Sequence, residues 1–197
     1  MNGTCRAAET DPVARDLLQS VVDTARAIFG AAAGSIFLLD READELVFQA
    51  VSGEGEDFLV GMRFPAGRGI AGWVAGSGEP MVVDDLSQSA GFARDLAEKT
   101  AYVPNALMAA PLLGPDGVLG VLEVLDPAPQ ARASLGELDL LALFARQAAT
   151  ALAAVLERRA ADAGQAAAAR VLRDLDDAGR AAGLRALEAV RDLLAAH

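Results

Sequence analysis

Apolar residues recur at helical spacing from the start of the chain. After Asp11-Pro12, which reads as an N-cap with proline at the first helical position, Val13, Leu17, Val21, Ala25 and Ile28 predict a helix over about 12–29. Gly30 ends it. The pattern then alternates: Ser35 to Leu39, the polar turn Asp40 to Asp44, and Glu45 to Val51 predict a β-hairpin. A Gly- and Glu-rich loop leads through Phe58, Val60 and Met62 to Phe64-Pro65, followed by a short helix from Ile70 to Ala75 that closes at Gly76-Ser77-Gly78. Pro80 opens a strand, Met81 to Val83. Leu86 to Pro104 is irregular, with a short helix near Phe92 to Lys99. Ala106 to Leu113 and Val118 to Leu125 flank the turn Gly114-Pro115-Asp116-Gly117 and make the clearest hairpin in the chain. Ser134 and Glu137 have capping-box spacing, and Leu138, Leu141, Ala145, Ala148, Leu152 and Val155 then follow one helical face to about residue 160. Beyond it, Val171, Leu175, Ala178, Ala182, Leu187, Val190 and Leu194 give Gln165 to Ala196 an amphipathic pattern that calls for a partner surface. Gly164, Gly179 and Gly183 weaken that segment, so a break or bend is expected near at least one of them.

Composition changes this picture in three ways. The 53% hydrophobic share of the 197 residues comes largely from alanine, so the core must rest on scattered Leu, Val, Ile and seven Phe. No uninterrupted apolar run reaches the roughly 18 residues that span a bilayer, and the first residues lack a signal-peptide pattern, so a cytoplasmic protein without a membrane association is expected. The formal charge of -11, without a dense Lys/Arg cluster, argues against nucleic acid as a partner. The organisation expected is a disordered N-terminus over 1–10, a domain over 11–160 and an amphipathic helical extension over 161–197.

The order of helix, hairpin, short helix, strand, irregular segment, hairpin and helix is that of an α+β domain with an antiparallel sheet. The stretch from Phe64-Pro-Ala-Gly-Arg-Gly-Ile-Ala-Gly-Trp to Met81-Val-Val-Asp-Asp85 resembles the middle signature of the GAF domain family. Gly34-Ser-Ile-Phe-Leu-Leu-Asp40 and Val118-Leu-Gly-Val-Leu-Glu-Val-Leu125 resemble its first and penultimate elements, and the resemblance covers about 12–160. It implies a GAF/PAS-like central sheet with the terminal helices on one face and, on the other, a pocket roofed by short helices and loops. Members hold cyclic nucleotides, bilins, haem, 2-oxoglutarate or no known ligand. The resemblance places Ser35, Phe48, Ala71, Trp73, Asp85, Tyr102, Asn105 and Glu123 on the pocket wall. Trp73 and Tyr102 could equally be core. Glu123 interrupts an apolar strand and needs exposure or a partner, either a ligand amine or Arg68. Met62, Met81 and Met108 would line the pocket or fill the core.

Particular chemistries are disfavoured. Gly67-Arg-Gly-Ile-Ala-Gly72 is formally a dinucleotide-binding fingerprint, but Phe64-Pro65 precedes it and Gly76 ends the helix within about two turns, so the glycines read as tight-packing positions. Cyclic-nucleotide-binding members resemble one another in an asparagine-lysine pair where this chain has Asp126-Pro127, which disfavours that ligand. The sole histidine, His197, is the last residue, which disfavours histidine-ligated haem. A single cysteine, Cys5, cannot run the reductase chemistry of GAF-like methionine sulfoxide reductases and gives no basis for a bilin or a metal cluster. With no internal histidine, a catalytic triad is also out of reach, and no catalytic or metal-binding residue is expected.

The expected function is a non-enzymatic sensory or regulatory domain that binds an unidentified small molecule and passes the signal through its terminal helices. No output domain is recognisable after the extension, so a homodimer built on those helices and a separate signalling protein are the expected partners. The alternative is a ligand-free module for homodimerisation and partner docking. The Ala, Arg, Gly and Asp bias suits a bacterial source.

Overall fold

The computed structural model describes residues 4–53, 56–89, 102–132, 135–174 and 177–195. In chain order these form α1 (Thr4–Thr10), α2 (Pro12–Ile28), β1 (Ala33–Asp40), β2 (Glu45–Gly53), α3 (Glu56–Leu59), β3 (Arg63–Pro65), α4 (Gly69–Ser77), β4 (Met81–Val83), β5 (Leu107–Gly114), β6 (Gly117–Leu125), α5 (Pro129–Arg132), α6 (Leu135–Asp174) and α7 (Asp177–Ala195). The short helix expected near Phe92 to Lys99, and the capping residue Ser134, lie outside the described residues.

The six strands form one antiparallel sheet in the order β3-β2-β1-β6-β5-β4, so the first and last strands of the chain meet at its centre. Period-two alternation divides the strand side chains between two faces. On one face Ile36, Leu38, Val47, Ala50, Met108, Ala110, Leu122 and Val124 meet Leu18, Val22 and Ala25 of α2 and Leu141, Ala145, Ala148 and Leu152 of α6. On the other face Phe37, Phe48, Leu107, Ala109 and Val121 join Phe64 and the inward residues of α4. Both hairpins and the α6 face read from the sequence are therefore present, as is the two-sided α+β architecture. On α2 the buried face is instead Ala14, Leu18, Val22 and Ala25, one residue on from the expected stripe, so Val13 and Ile28 are 49% and 51% exposed: packing on the sheet sets the rotation of a helix that is apolar on two adjoining rows.

Local chemistry explains the entry to α2. The Asp11 carboxylate accepts from the backbone N–H of Val13 at 2.8 Å and of Ala14 at 3.1 Å, and Pro12 sits in the first turn, where its missing N–H costs nothing. A bulge at Gln49 lies between the pairs Ile36–Ala50 and Phe37–Phe48. It turns the Gln49 amide toward α1, where Nε2 lies 3.8 Å from Cys5 Sγ.

Residues 4–10 differ from expectation. They form α1, with Cys5 and Ala8 only 3% and 1% exposed against the helix-side core. A seven-residue helix is too short to display a period, and it is held by tertiary contacts: Arg63 pairs with Glu9 at 2.7 Å while also reaching Asp40 at 3.0 Å.

The chain divides into two compact units, Met1–Leu156 and Glu157–His197. In the second unit residues 157–170 are exposed throughout, as are Leu184 and Leu187 on α7. Gly164 lies within α6 without a break; residues 175–176, between α6 and α7 and ahead of Gly179, lie outside the described residues. Over Gly136–Arg170 α6 is long and apolar enough to cross a membrane by length and composition, although its apolar residues do not form one uninterrupted run. Its alanine content explains this, and the helix already commits Leu141, Ala145, Ala148 and Leu152 to the core.

Candidate functional site

The site is built on the sheet face opposite the long helices. Ser35 on β1 stands directly across from Glu123 on β6, and Glu123 in turn faces Ala109 on β5. Such cross-strand neighbours have Cβ atoms about 5 Å apart. One row away, Phe37 is opposite Phe48 and Val121, and the rings of Phe37, Phe48 and Phe64 pack with centroids 4.4 to 5.8 Å apart. α4 covers β5 and β6, presenting Ile70, Ala71, Val74 and Ala75 inward.

The turn that leads into α4 packs directly onto the helix because Gly72 has no side chain. A Cβ there would come within 2.6 Å of the Ala66 carbonyl oxygen and the Gly67 carbonyl carbon. The last glycine of the apparent dinucleotide fingerprint thus serves a packed turn, and Gly69 ahead of α4 adopts a φ of 73°. Arg68 precedes the helix without a side-chain cap.

Six polar or charged residues are buried among the described residues, and they divide by face. Asp11 caps α2, Asp40 accepts from Arg63 and from its own turn, Gln49 reaches Cys5, and Ser52 Oγ accepts from Arg26 Nε at 2.8 Å. Ser35 and Glu123, 4% and 7% exposed, are the remaining two, and their side chains make no hydrogen bond or ion pair among the described residues. Burial pushes the Glu123 carboxyl up to about 7, because nothing nearby compensates its lost hydration. The alternative of an ion pair between Arg68 and Glu123 is not realised: Arg68 is exposed and Glu123 carries no such pair. By contrast Arg63 beside Asp40 holds that carboxyl below the usual carboxylate range, with the Ala43 N–H adding to the effect.

The eight candidate wall residues do not converge. Ser35, Phe48, Ala71 and Glu123 share the α4-covered face. Trp73 does not join them and is not core either: it is 47% exposed, because it lies off the helical face that carries Ile70, Ala71, Val74 and Ala75. Asp85 is exposed, and its carboxylate accepts from the Ser87 hydroxyl at 2.5 Å, from Gln88 Nε2 at 2.7 Å and from the Ser87 N–H at 2.9 Å, interactions that lower its pKa and commit it to its own turn. Tyr102 and Asn105 belong to a clamp around Asp126, a residue that the sequence pattern does not single out as part of a site. The half-buried Tyr102 hydroxyl donates to the Asp126 carboxylate, which also accepts from the backbone N–H of Asn105 at 2.9 Å and of Ala106 at 3.0 Å. Asp126 has a φ of 46°, a backbone position that Asp tolerates better than most residues. Its only sequence signal is Asp-Pro directly after a strand. Of the methionines, Met62 and Met81 edge the α4-side core, whereas Met108 is buried on the helix side. Among the described residues no group of three or more potential metal ligands occurs.

Comparison with known proteins agrees with this architecture. The GAF domain family profile matches residues 14–152. A probable 3',5'-cyclic phosphodiesterase of Caenorhabditis elegans is 27% identical over 115 residues, which cover 54% of this chain and 16% of that protein. The chain therefore corresponds to a small part of that relative. Among solved structures, the GAF domain of a phosphoenolpyruvate-protein phosphotransferase from Coxiella burnetii is 20% identical, with a TM-score of 0.67 over 80% of this chain and 92% of that one. The second GAF domain of DevS from Mycobacterium smegmatis is 22% identical, with a TM-score of 0.59 over 76% and 98%. With the profile spanning most of the chain and the central β1–β6 pair, α4 and the terminal helices all in place, this protein belongs to the GAF domain family.

Proposed function

We propose that this domain is a non-enzymatic small-molecule sensor whose ligand lies on the α4-covered face of the sheet and contacts Ser35 and Glu123. The observation that carries the reading is the division of buried polar groups. Those on the helix side and sheet edge are satisfied, whereas the two facing α4 are adjacent and without partners among the described residues. A buried carboxyl left without a hydrogen bond costs on the order of 1–3 kcal/mol, which a fold retains where a ligand supplies the missing contact.

The signal would leave through α2 and α6. These helices border a groove of about 250 Å³ lined by Leu17, Val21, Phe144 and Ala148 with Ser20 and Thr24, and Leu143 nearby is 51% exposed. That surface supports a homodimer of terminal helices and contact with a separate signalling protein, in a bacterial cytoplasm. The acidic charge disfavours nucleic acid as a partner. The same groove favours a second reading, a ligand-free module for dimerisation and docking.

Native mass spectrometry of the freshly purified chain, compared with denaturing conditions, separates the two. A dimer that releases an additional small mass on denaturation supports sensing. A dimer with no additional mass, whose melting temperature also stays unmoved by a metabolite library, supports the docking module.

A further inference from the structure

We infer that Ser35 and Glu123 recognise a basic nitrogen group, an amidinium or ammonium, on the sensed molecule; the inference rests on the reading of the α4 face as a ligand site. Glu123 is 7% exposed on an otherwise apolar face, with Ala109 on one flank, Ser35 on the other and Ala71 of α4 in the same buried cluster. Charge compensation from within the described domain is committed elsewhere: Arg26 donates to Ser52, Arg41 to the Val118 carbonyl, and Arg63 to Glu9, Asp40 and Glu45. None of these three faces Glu123, so among the described residues a cationic group on the ligand is the counter-charge we assign to it.

An amidinium offers two parallel N–H donors to the two carboxylate oxygens, and an ammonium offers three donors that Glu123 and the Ser35 hydroxyl can share. In an apolar setting such a pair is stronger than in water. The neighbouring Phe37 and Phe48 rings favour a cation and a flat hydrocarbon body together. Among the described residues an anionic ligand would meet a carboxyl group and apolar walls with no counter-charge.

Titration of the full chain with benzamidinium, benzamide and benzoate tests this, because the three share a shape and differ in charge. The expected result is that benzamidinium binds in preference to benzamide, benzoate does not bind, and Glu123→Gln weakens benzamidinium by roughly ten-fold or more. Ser35→Ala should cause a smaller loss, and it provides a reading of the same pair should the Gln variant fail to melt cooperatively. Benzamidinium affinity unchanged in a folded Glu123→Gln variant, or benzoate binding as well as benzamidinium, overturns the inference while leaving small-molecule sensing standing. Failure of all three probes also overturns it. The mass spectrum described above then decides separately whether the domain holds a small molecule of other chemistry.

Discussion

At the scale of single residues, the notable contrast is between two buried acids. Asp40 has its Arg63 partner and two backbone donors, while Glu123 has none among the described residues. Their effects on stability run in opposite directions. Glu123, raised from 4.5 to about 7 in the folded state, contributes stability that is fully present below about pH 4.5 and is lost as pH rises through 7. The loss is bounded by about 3.5 kcal/mol, since each tenfold change in the ionisation equilibrium corresponds to roughly 1.4 kcal/mol. Urea denaturation of ligand-free protein at pH 5 and pH 8 should show this decline, and Glu123→Gln should abolish it; an unchanged profile in the variant would assign the decline to another group. Asp40, depressed, contributes stability above the ordinary Asp range that is lost on acidification. Asp126 serves another purpose. Its carboxylate gathers Tyr102 and the entry to β5, so Asp126→Ala strands two backbone donors and should cost about 2 kcal/mol, with Asp126→Asn closer to wild type. Equal losses in the two variants, measured by the same denaturation, would remove the clamp from the account.

At the scale of elements, close backbone approach sets what each may carry. β6 crosses β1 at Gly120, where a Cβ would lie 1.9 Å from the Phe37 carbonyl oxygen. Since backbone cannot yield cheaply, Gly120→Ala should unfold the central pair or destabilise it by about 3 kcal/mol or more, read as a fall in the denaturation midpoint. Gly164→Ala, inside α6 with nothing within 4 Å of its added methyl, should instead raise helix stability by up to about 1 kcal/mol. A Gly120→Ala variant of native stability would mean that the strands sit further apart than described.

At the scale of the whole molecule, the two faces of the sheet divide the work. The α4 side holds the candidate ligand site and the α2/α6 side holds the candidate dimer surface, with Ile36, Leu122 and Val124 in strands that contribute to both faces. A ligand that draws Glu123 toward it acts on β6, whose next residue, Val124, packs on the helix side, so the two sites share a rigid element. Leu143→Asp, exposed beside the groove, should leave the monomer's melting temperature within about 1 °C and shift the sedimentation profile toward monomer. Retention of the dimer would exclude this surface as its interface.

The sequence by itself determined the main elements and, for the two hairpins and α6, their faces. Helical spacing in α2 and α6, alternation in β1, β2, β5 and β6, and the Asp11-Pro12 cap are local signals, and local geometry turns them directly into structure. It also singled out Glu123, since a charged residue in an apolar strand is visible without knowing its neighbours. Tertiary structure alone decided what surrounds each residue. It placed Ser35 across from Glu123, sent Trp73 to the surface, kept Arg68 from Glu123, ordered the short α1 through Arg63, and gave Asp126 its clamp. These outcomes depend on register, on helix rotation and on contacts between residues distant in the chain, and none of those is encoded in the spacing of apolar positions along a single segment.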